Sequence, residues 1–206
     1  MHLAEDAGFR SLLECGDPVM AALVESIGPL DRGARLRGRP DDAYGALVRT
    51  IVGQQLSMKA ARTIYARLIA LFGDNPPTPA ELIAAEEAAL RAAGLSRQKI
   101  GYLRDLAARV QNRELELDAL HELSDEEVSA RITAVKGLGQ WSADMFLMFH
   151  LRRPDVLPVG DLGIRRAVEK VYRLPGLPDQ DALRNLAEPW RPWRTLACLY
   201  LWKTLE

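Results

Sequence analysis

The segment from residue 131 to residue 167 constrains the fold of this chain more than any other part of its sequence. Helix-forming residues lead to the triplet Gly137-Leu138-Gly139 and resume at Trp141. The triplet predicts a hairpin, because glycine is the residue that adopts a positive φ at little cost. Prolines further along then disfavour helix. The segment therefore predicts a helix, a tight hairpin, a second helix and an extended return.

Helix-capping residues mark the boundaries of these elements. Ser124, followed three residues later by Glu127, forms a capping box at the start of the first helix. The second helix is expected to run from Trp141 to His150. Asp161 stands after the extended return and before apolar residues at helical spacing, so we expect it to cap a further helix.

The hairpin is suited to binding a phosphate group. The backbone N–H groups of Gly137 and Gly139, beside the N-terminus of the following helix, would form a nest for an anion. Glycine suits this use because a Cβ atom would keep the phosphate at a distance. An ordinary hairpin between two helices is the alternative interpretation, since the Gly-x-Gly pattern alone is weak.

The remainder of the chain also has the pattern of helices. One helix is expected over residues 42–52, followed by a break at residues 53–56 and by Ser57 as the cap of the next helix. Thr78 and Ser96 are predicted caps of later helices. Neither strand-like alternation nor an internal repeat occurs, so the fold class is predicted to be all-α. Four arginines are interpreted as part of a solvated linker: Arg32, Arg35, Arg37 and Arg39.

Composition and charge narrow the class of protein. The chain has 206 residues and 48% hydrophobic residues, as is usual for globular proteins. No apolar run reaches the roughly 18 residues of a membrane span. Cys15 and Cys198 are isolated, so we expect no metal cluster. Residues 131–206 carry a net charge of +4 and the first 130 residues −5, so the basic excess lies in the part that holds the hairpin.

The order of motifs resembles one known superfamily. The run Val-Lys-Gly-Leu-Gly-Gln-Trp-Ser-Ala, followed about twenty residues later by Pro158-Val159-Gly160-Asp161, resembles the helix-hairpin-helix–GPD superfamily of base-excision DNA glycosylases. Trp141 follows the hairpin where lyase members of that superfamily carry lysine, which is similar to the AlkA-type 3-methyladenine DNA glycosylases. The resemblance extends from about Tyr44 to Trp202.

The resemblance implies a two-lobed helical glycosylase fold. Residues 43–153 would form a central lobe that ends in the helix-hairpin-helix motif. Residues 1–42 would provide N-terminal helices that pack with residues 154–206 as the other lobe. About forty residues precede the shared core, too few for the N-terminal β domain of some relatives, so the fold is expected to lack that domain.

The chemistry of base removal gives Asp161 a candidate role. Breaking a base–sugar bond produces an oxocarbenium-like sugar, and a nearby carboxylate stabilises its positive charge. The resemblance places Asp161 at the catalytic position, whereas local sequence alone favours a helix cap without catalytic function. Trp141 replaces the lysine that would attack C1′, so water is the expected nucleophile and AP-lyase activity is not expected.

The resemblance also implies a pocket for a flipped base. Alkylated purines are cationic and stack on aromatic faces. Trp141 and Trp193 are the predicted pocket walls, although Trp193 also has the alternative interpretation of a core aromatic residue. Met145 and Leu162 stand where well-known bacterial relatives carry tyrosines, so the range of bases accepted is left open.

DNA contacts are expected from a loop and from the hairpin. The resemblance implies that the loop at Gln54, Gln55, Leu56 and Ser57 enters the minor groove, and either Gln55 or Leu56 would fill the gap left by the flipped base. The predicted hairpin contacts are Lys136, Gly137, Leu138 and Gly139. The resemblance also implies a structural monovalent cation at the hairpin, held by the backbone carbonyls of Thr133, Val135 and Leu138.

These observations predict a monofunctional DNA glycosylase that removes 3-methyladenine, 7-methylguanine and similar bases during base excision repair. It would act as a monomer on double-stranded DNA with alkylated bases and need no cofactor. Acidic residues near the N-terminus are unlike a signal peptide, so a cytoplasmic protein is expected, associated with the nucleoid if bacterial. The alternatives are a non-catalytic helix-hairpin-helix DNA-binding protein and a glycosylase of the same superfamily with another lesion specificity.

Overall fold

The computed structural model of the chain describes residues 2–31, 40 and 42–206, and for residues 2–6 and 58 it describes the backbone alone. Arg32, Arg35, Arg37 and Arg39 lie outside the described residues. Every regular element within these ranges is helical, which confirms the predicted all-α class. The α-helices are α1 His2–Leu13, α2 Pro18–Ile27, α3 Ala43–Gly53, α4 Met58–Ala70, α5 Pro79–Ala84, α6 Glu87–Ala92, α7 Arg97–Gln111, α8 Asp125–Thr133, α9 Gln140–Phe149, α10 Leu162–Val171, α11 Gln180–Leu186 and α12 Arg194–Lys203, and two 3-10 helices span Asp118–Glu122 and Glu188–Trp190.

The chain divides into two compact units. The terminal unit comprises Met1–Arg37 and Leu147–Glu206, and the central unit comprises Gly38–Phe146. The sequence placed the boundaries after residues 42 and 153, whereas the division lies after residues 37 and 146. The second boundary falls inside α9, where a change of unit does not interrupt the helix and leaves no mark in the sequence.

Four helices build the core of the terminal unit. Helix α1 packs on α2, both contact α12, and α12 also packs on α10. Their inward faces repeat apolar residues every three or four positions, as expected for helices that bury one side. The fully buried members of this core include Leu12, Met20, Val24, Ile164, Val168 and Leu201.

The central unit is organised around α7. Helices α3, α5 and α6 all pack on α7, and α4 packs on α3. Ser57, Thr78 and Ser96 cap α4, α5 and α7 with their hydroxyl oxygens, as predicted, and so satisfy N–H groups that each helix leaves without a partner. Fully buried core residues include Leu47, Val48, Ile51, Leu82, Leu90, Leu103 and Leu106.

The segment around the hairpin forms helices close to the predicted limits. The capping box of Ser124 and Glu127 begins α8. Helix α9 begins one residue before Trp141, because the Gly139 carbonyl already accepts the N–H groups of Ser142 and Ala143. The expected extended approach to α10 is instead a turn at residues 159–160, closed by the N–H of residue 161 donating to the residue 158 carbonyl at 2.9 Å.

Helices that could cross a membrane are absent from the described ranges, since none combines the required length and apolar character. Those ranges also contain no group of three or more His, Cys, Asp or Glu residues that could hold a metal ion.

Candidate active site and nucleic-acid interface

The hairpin between α8 and α9 depends on glycine at one position for two reasons. Gly137 has a φ of 80°, in the left-handed region that favours glycine. A Cβ atom at Gly137 would also lie 2.1 Å from the Tyr102 ring of α7, far inside van der Waals contact. Gly139 does not have a positive φ, and a Cβ there would meet no atom within 4 Å. Of the two hairpin glycines, only Gly137 therefore needs both the conformational freedom and the small size of glycine within the described structure.

Two backbone N–H groups of the hairpin have no hydrogen-bond acceptor among the described residues. The N–H groups of Gly137 and Gly139 donate no hydrogen bond within the described residues, whereas the Leu138 N–H donates to the Val135 carbonyl at 3.1 Å. The two glycine donors lie just before the N-terminus of α9, where the partial positive charge of the helix favours an anion. Such donors are suitable for a phosphate group, and the binding of DNA phosphate at Gly137 and Gly139 stays a prediction.

The predicted cation ligands are neutral oxygens near the same turn. The Val135 carbonyl accepts the Leu138 N–H and keeps its second lone pair. Backbone hydrogen bonds in the described chain do not use the carbonyls of Thr133 and Leu138. Neutral carbonyl oxygens are suitable ligands for a monovalent cation. The donor set therefore fits such an ion, and the ion itself stays a prediction.

One face of α7 supports both the hairpin and the neighbouring loop. Lys99, Tyr102 and Asp105 follow one another at intervals of three residues, so they share a side of the helix. The ammonium group of Lys99 donates to the carbonyls of Val52 and Gln54, at 2.7 and 2.8 Å. Its burial lowers the pKa of Lys99, and its position at the C-terminus of α3 favours a positive charge. Lys99 thus holds the start of the loop.

Asp105 holds the hairpin from the same face. Its Oδ2 accepts the backbone N–H of Lys136 and the Nε of Arg109, each at 3.0 Å. Burial raises the pKa of Asp105, but these hydrogen bonds and the positive charges of both partners outweigh it and lower the pKa below its usual value. The Lys136 N–H is therefore used inside the protein. The Lys136 ammonium group lies 3.8 Å from Asp105 Oδ1, and the Lys136 side chain is 75% exposed. The side chain is therefore the part of Lys136 that remains for the predicted contact with DNA.

The loop between α3 and α4 divides into anchored and exposed residues. The Gln54 side-chain amide donates to the Gly137 carbonyl at 2.8 Å, and Ser57 caps α4. Gln55 has a φ of 58° and is exposed, and Leu56 is 38% exposed. Positive φ is uncommon outside glycine, so the tip of this loop is held in an unusual conformation. The predicted DNA contact of all four residues stays a prediction, and Gln55 and Leu56 are the two without an anchoring role.

Replacing both tip residues tests the loop. We expect Gln55→Ala with Leu56→Ala to weaken binding to lesion DNA about tenfold, the equivalent of roughly 1.4 kcal/mol of lost contact, while the melting temperature changes little. Fluorescence anisotropy and calorimetry measure the two quantities. Ile83→Ala is the matched control, because Ile83 is 39% exposed in the same unit and is distant in sequence from the loop. A loss of stability without a loss of binding would make the loop a structural element only.

Asp161 begins α10 in the terminal unit and is partly buried. Its Oδ1 accepts the backbone N–H of Ile164 at 2.8 Å, which confirms the predicted helix cap. The same oxygen accepts the indole N–H of Trp202 at 3.1 Å. Trp202 in turn stacks on Phe149, with ring centroids 6.0 Å apart and planes inclined by 23°. The sequence alone gives no sign of the contact between Trp202 and Asp161, because 41 residues separate them.

These features belong to a known superfamily. The model of the HhH-GPD superfamily base excision DNA repair proteins matches residues 48–192. The chain belongs to the HhH-GPD superfamily.

One similar sequence and two similar structures illustrate this membership. DNA-3-methyladenine glycosylase 1 of Schizosaccharomyces pombe is 36% identical over 165 residues, which cover 79% of this chain and 72% of that protein. The structure of the 3-methyladenine DNA glycosylase of Schizosaccharomyces pombe in complex with abasic DNA superposes with a TM-score of 0.85 at 32% identity, covering 96% of each chain. The DNA-3-methyladenine glycosidase of Bacillus halodurans has a TM-score of 0.81 at 37% identity, covering 95% of this chain and 88% of that one.

The predicted pocket residues of this HhH-GPD chain lie in different surroundings. In the central unit, Trp141 is 42% exposed and Met145 is buried. In the terminal unit, Leu162 follows Asp161 and is 46% exposed, whereas Trp193 is partly buried against α1. A Cβ atom on Gly8 of α1 would lie 2.9 Å from the Trp193 ring, so that ring packs closely on the helix backbone. The role of these four side chains in base binding stays a prediction.

Proposed function

We propose that this chain is a DNA glycosylase that removes alkylated purines, such as 3-methyladenine and 7-methylguanine, in base excision repair. The observation that carries the proposal is the carboxylate of Asp161 held at the start of α10 in an HhH-GPD chain. The similar proteins support the substrate class, since they are 3-methyladenine DNA glycosylases, one of them in a complex with abasic DNA. Double-stranded DNA with alkylated bases is the partner.

The reaction begins with the target base outside the duplex, because a stacked base is inaccessible. The bond between C1′ and the base nitrogen breaks with both electrons passing to the base, so a cationic methylated purine leaves as a neutral molecule. Asp161 stabilises the positive charge that develops on the sugar. Water then bonds to C1′ and loses a proton to Asp161 or to solvent, and an abasic site remains.

Water is the nucleophile in this proposal. Trp141 provides no amine, so no Schiff base with C1′ forms at that position and the DNA backbone stays intact. A cationic base is already a good leaving group, so one carboxylate suffices without a strong general acid. The reaction requires no cofactor, and we propose that the chain acts as a monomer in the cytoplasm, at the chromosomal DNA.

Incubation with methylated DNA tests the proposed function. We expect chromatography to detect free 3-methyladenine and 7-methylguanine, and gel electrophoresis to show strand breaks only after alkali cleaves the abasic sites. Borohydride added during the reaction should trap no covalent adduct with the DNA. Efficient trapping would overturn the hydrolytic mechanism. DNA binding without any release of bases would instead favour the non-catalytic DNA-binding alternative.

A further inference from the structure

We propose that Trp202 is a positioning residue for Asp161, and that Gly163 provides the space in which Trp202 reaches the carboxylate. The proposal rests on the proposed catalytic role of Asp161. It assigns a function to two residues that no motif identifies: an aromatic residue near the end of the chain and a glycine inside the first turn of α10.

The hydrogen bonds at Asp161 fix its orientation. The backbone N–H of Ile164 and the indole N–H of Trp202 donate to the same oxygen, Oδ1, at 2.8 and 3.1 Å. A backbone donor alone would hold the position of this oxygen, but a second donor from another helix also restrains the plane of the carboxylate. Preorganised charge is effective in catalysis because it need not reorient during the reaction.

Trp202 has the chemistry and the support that a positioning residue requires. Its indole nitrogen only donates hydrogen bonds, so it orients a carboxylate without competing for the proton of an attacking water. Its ring stacks on Phe149 at a centroid distance of 6.0 Å, and it belongs to α12, which packs on α10. The donor is therefore carried by a packed ring on a helix that contacts the helix of Asp161.

Gly163 contributes an independent observation. A Cβ atom at this position would lie 2.9 Å from Asp161 Oδ1 and 3.1 Å from Trp202 Nε1. Both distances are shorter than ordinary contact, so the hydrogen bond and a larger residue cannot coexist without a shift. The φ of Gly163 is not positive, so the backbone itself accepts alanine. Position 163 thus requires glycine because a larger side chain would collide with the hydrogen bond between Asp161 and Trp202.

Two substitutions test the proposal by separating the chemistry from folding. Trp202→Phe keeps an aromatic ring for the stack on Phe149 and removes the indole N–H. Gly163→Ala keeps Trp202 and disturbs its hydrogen bond, while alanine favours the helix itself. We expect each to slow single-turnover release of 7-methylguanine about tenfold or more, since a small misplacement of a reacting group can cost up to about a hundredfold in rate. Affinity for lesion DNA should stay within about twofold, and both variants should remain folded at the assay temperature.

A matched control and a double substitution complete the test. Tyr200→Phe, which removes the Tyr200 hydroxyl that donates to the Gly28 carbonyl at 2.9 Å, also deletes one donor from α12 and should leave the rate unchanged. In an Asp161→Asn background, Trp202→Phe should slow the residual reaction much less than in the wild type, because the positioned charge is already absent. The indole signal of Trp202 in nitrogen–proton NMR spectra should shift in the Asp161→Ala variant.

Each contrary result has a distinct meaning. Wild-type rates in both folded variants, Trp202→Phe and Gly163→Ala, would overturn the positioning role even if Asp161→Asn abolishes activity, and the proposed function would then stand. Equal rate losses from Trp202→Phe in the wild-type and Asp161→Asn backgrounds would also overturn it. Full activity of Asp161→Asn would overturn both proposals.

Discussion

Asp161→Asn is expected to slow the release of 7-methylguanine by about a hundredfold or more, because preorganised electrostatic stabilisation is commonly worth about 10²–10³ in rate. Asparagine caps a helix about as well as aspartate, and its carbonyl oxygen replaces Oδ1 as acceptor for the N–H groups of Ile164 and Trp202. The substitution therefore removes the charge and leaves the local structure in place. Lesion DNA should bind at least as tightly, since a negative charge near phosphates is gone.

Single-turnover kinetics with circular dichroism as the folding control measure this effect. Asp179→Asn is the matched control: Asp179 caps α11 in the same unit, accepting the Ala182 N–H at 2.8 Å, and is exposed. That variant should keep the wild-type rate. The loss caused by Asp161→Asn should be larger for neutral lesions than for cationic ones, which need less help to leave. A folded Asp161→Asn protein with near-normal release would make Asp161 a helix cap without catalytic function.

Local signals explain which features the sequence predicted well. The caps at Ser57, Ser96, Ser124 and Asp161 each join a side chain to an N–H three residues later, so the whole interaction lies within a few letters of sequence. The break between α3 and α4 and the Gly-x-Gly turn are also marked by residues within a few positions of one another. Helix limits followed from these caps and from apolar periodicity.

The contacts that support the predicted DNA interface could not be predicted from the sequence, because they join residues far apart in the chain. Lys99 reaches Val52 across 47 residues, and Asp105 reaches Lys136 across 31. The spacing of three residues places Lys99, Tyr102 and Asp105 on one side of α7. An ordinary solvated helix face has the same spacing, so only the packing of α7 shows what these residues contact.

For Gly137 and Trp193, the sequence predicted a role in binding DNA, and the structure adds a role in packing. The sequence connected Gly137 with phosphate binding, whereas contact with Tyr102 requires a glycine there even in the absence of DNA. For Trp193, the sequence allowed two interpretations, a wall of the base pocket and a residue of the core. The close packing of Trp193 on Gly8 gives the ring a structural role, and its predicted contact with a base needs the remaining exposed part of the side chain.

Asp17 joins three parts of the terminal unit in a buried network that sequence reasoning missed. Its Oδ1 caps α2 by accepting the N–H groups of Val19 and Met20, at 3.0 and 3.1 Å. Its Oδ2 accepts the indole N–H of Trp190 at 2.9 Å and the hydroxyl of Tyr172. Burial raises the pKa of Asp17, but the four hydrogen bonds outweigh burial and lower that pKa below 3.8. The network connects α2 with the end of α10, the helix that Asp161 begins.

Asp17→Ala is expected to lower the free energy of unfolding by about 3 kcal/mol or more, since it removes a cap worth about 1 kcal/mol and leaves two buried donors unpaired at about 1–3 kcal/mol each. Asp17→Asn should lower the free energy of unfolding by less, because the asparagine carbonyl keeps the cap.

Since folding lowers the pKa of Asp17, the ionised carboxylate contributes fully to stability above its unfolded pKa of about 3.8, and this contribution is lost as the pH falls through the lower folded pKa. Wild-type stability should therefore decline more steeply than that of Asp17→Asn as the pH falls below about 4. Urea titrations at neutral and acidic pH measure both effects, with Asp179→Asn as the exposed-cap control, and a loss below about 1 kcal/mol for Asp17→Ala would show that the network does not stabilise the unit.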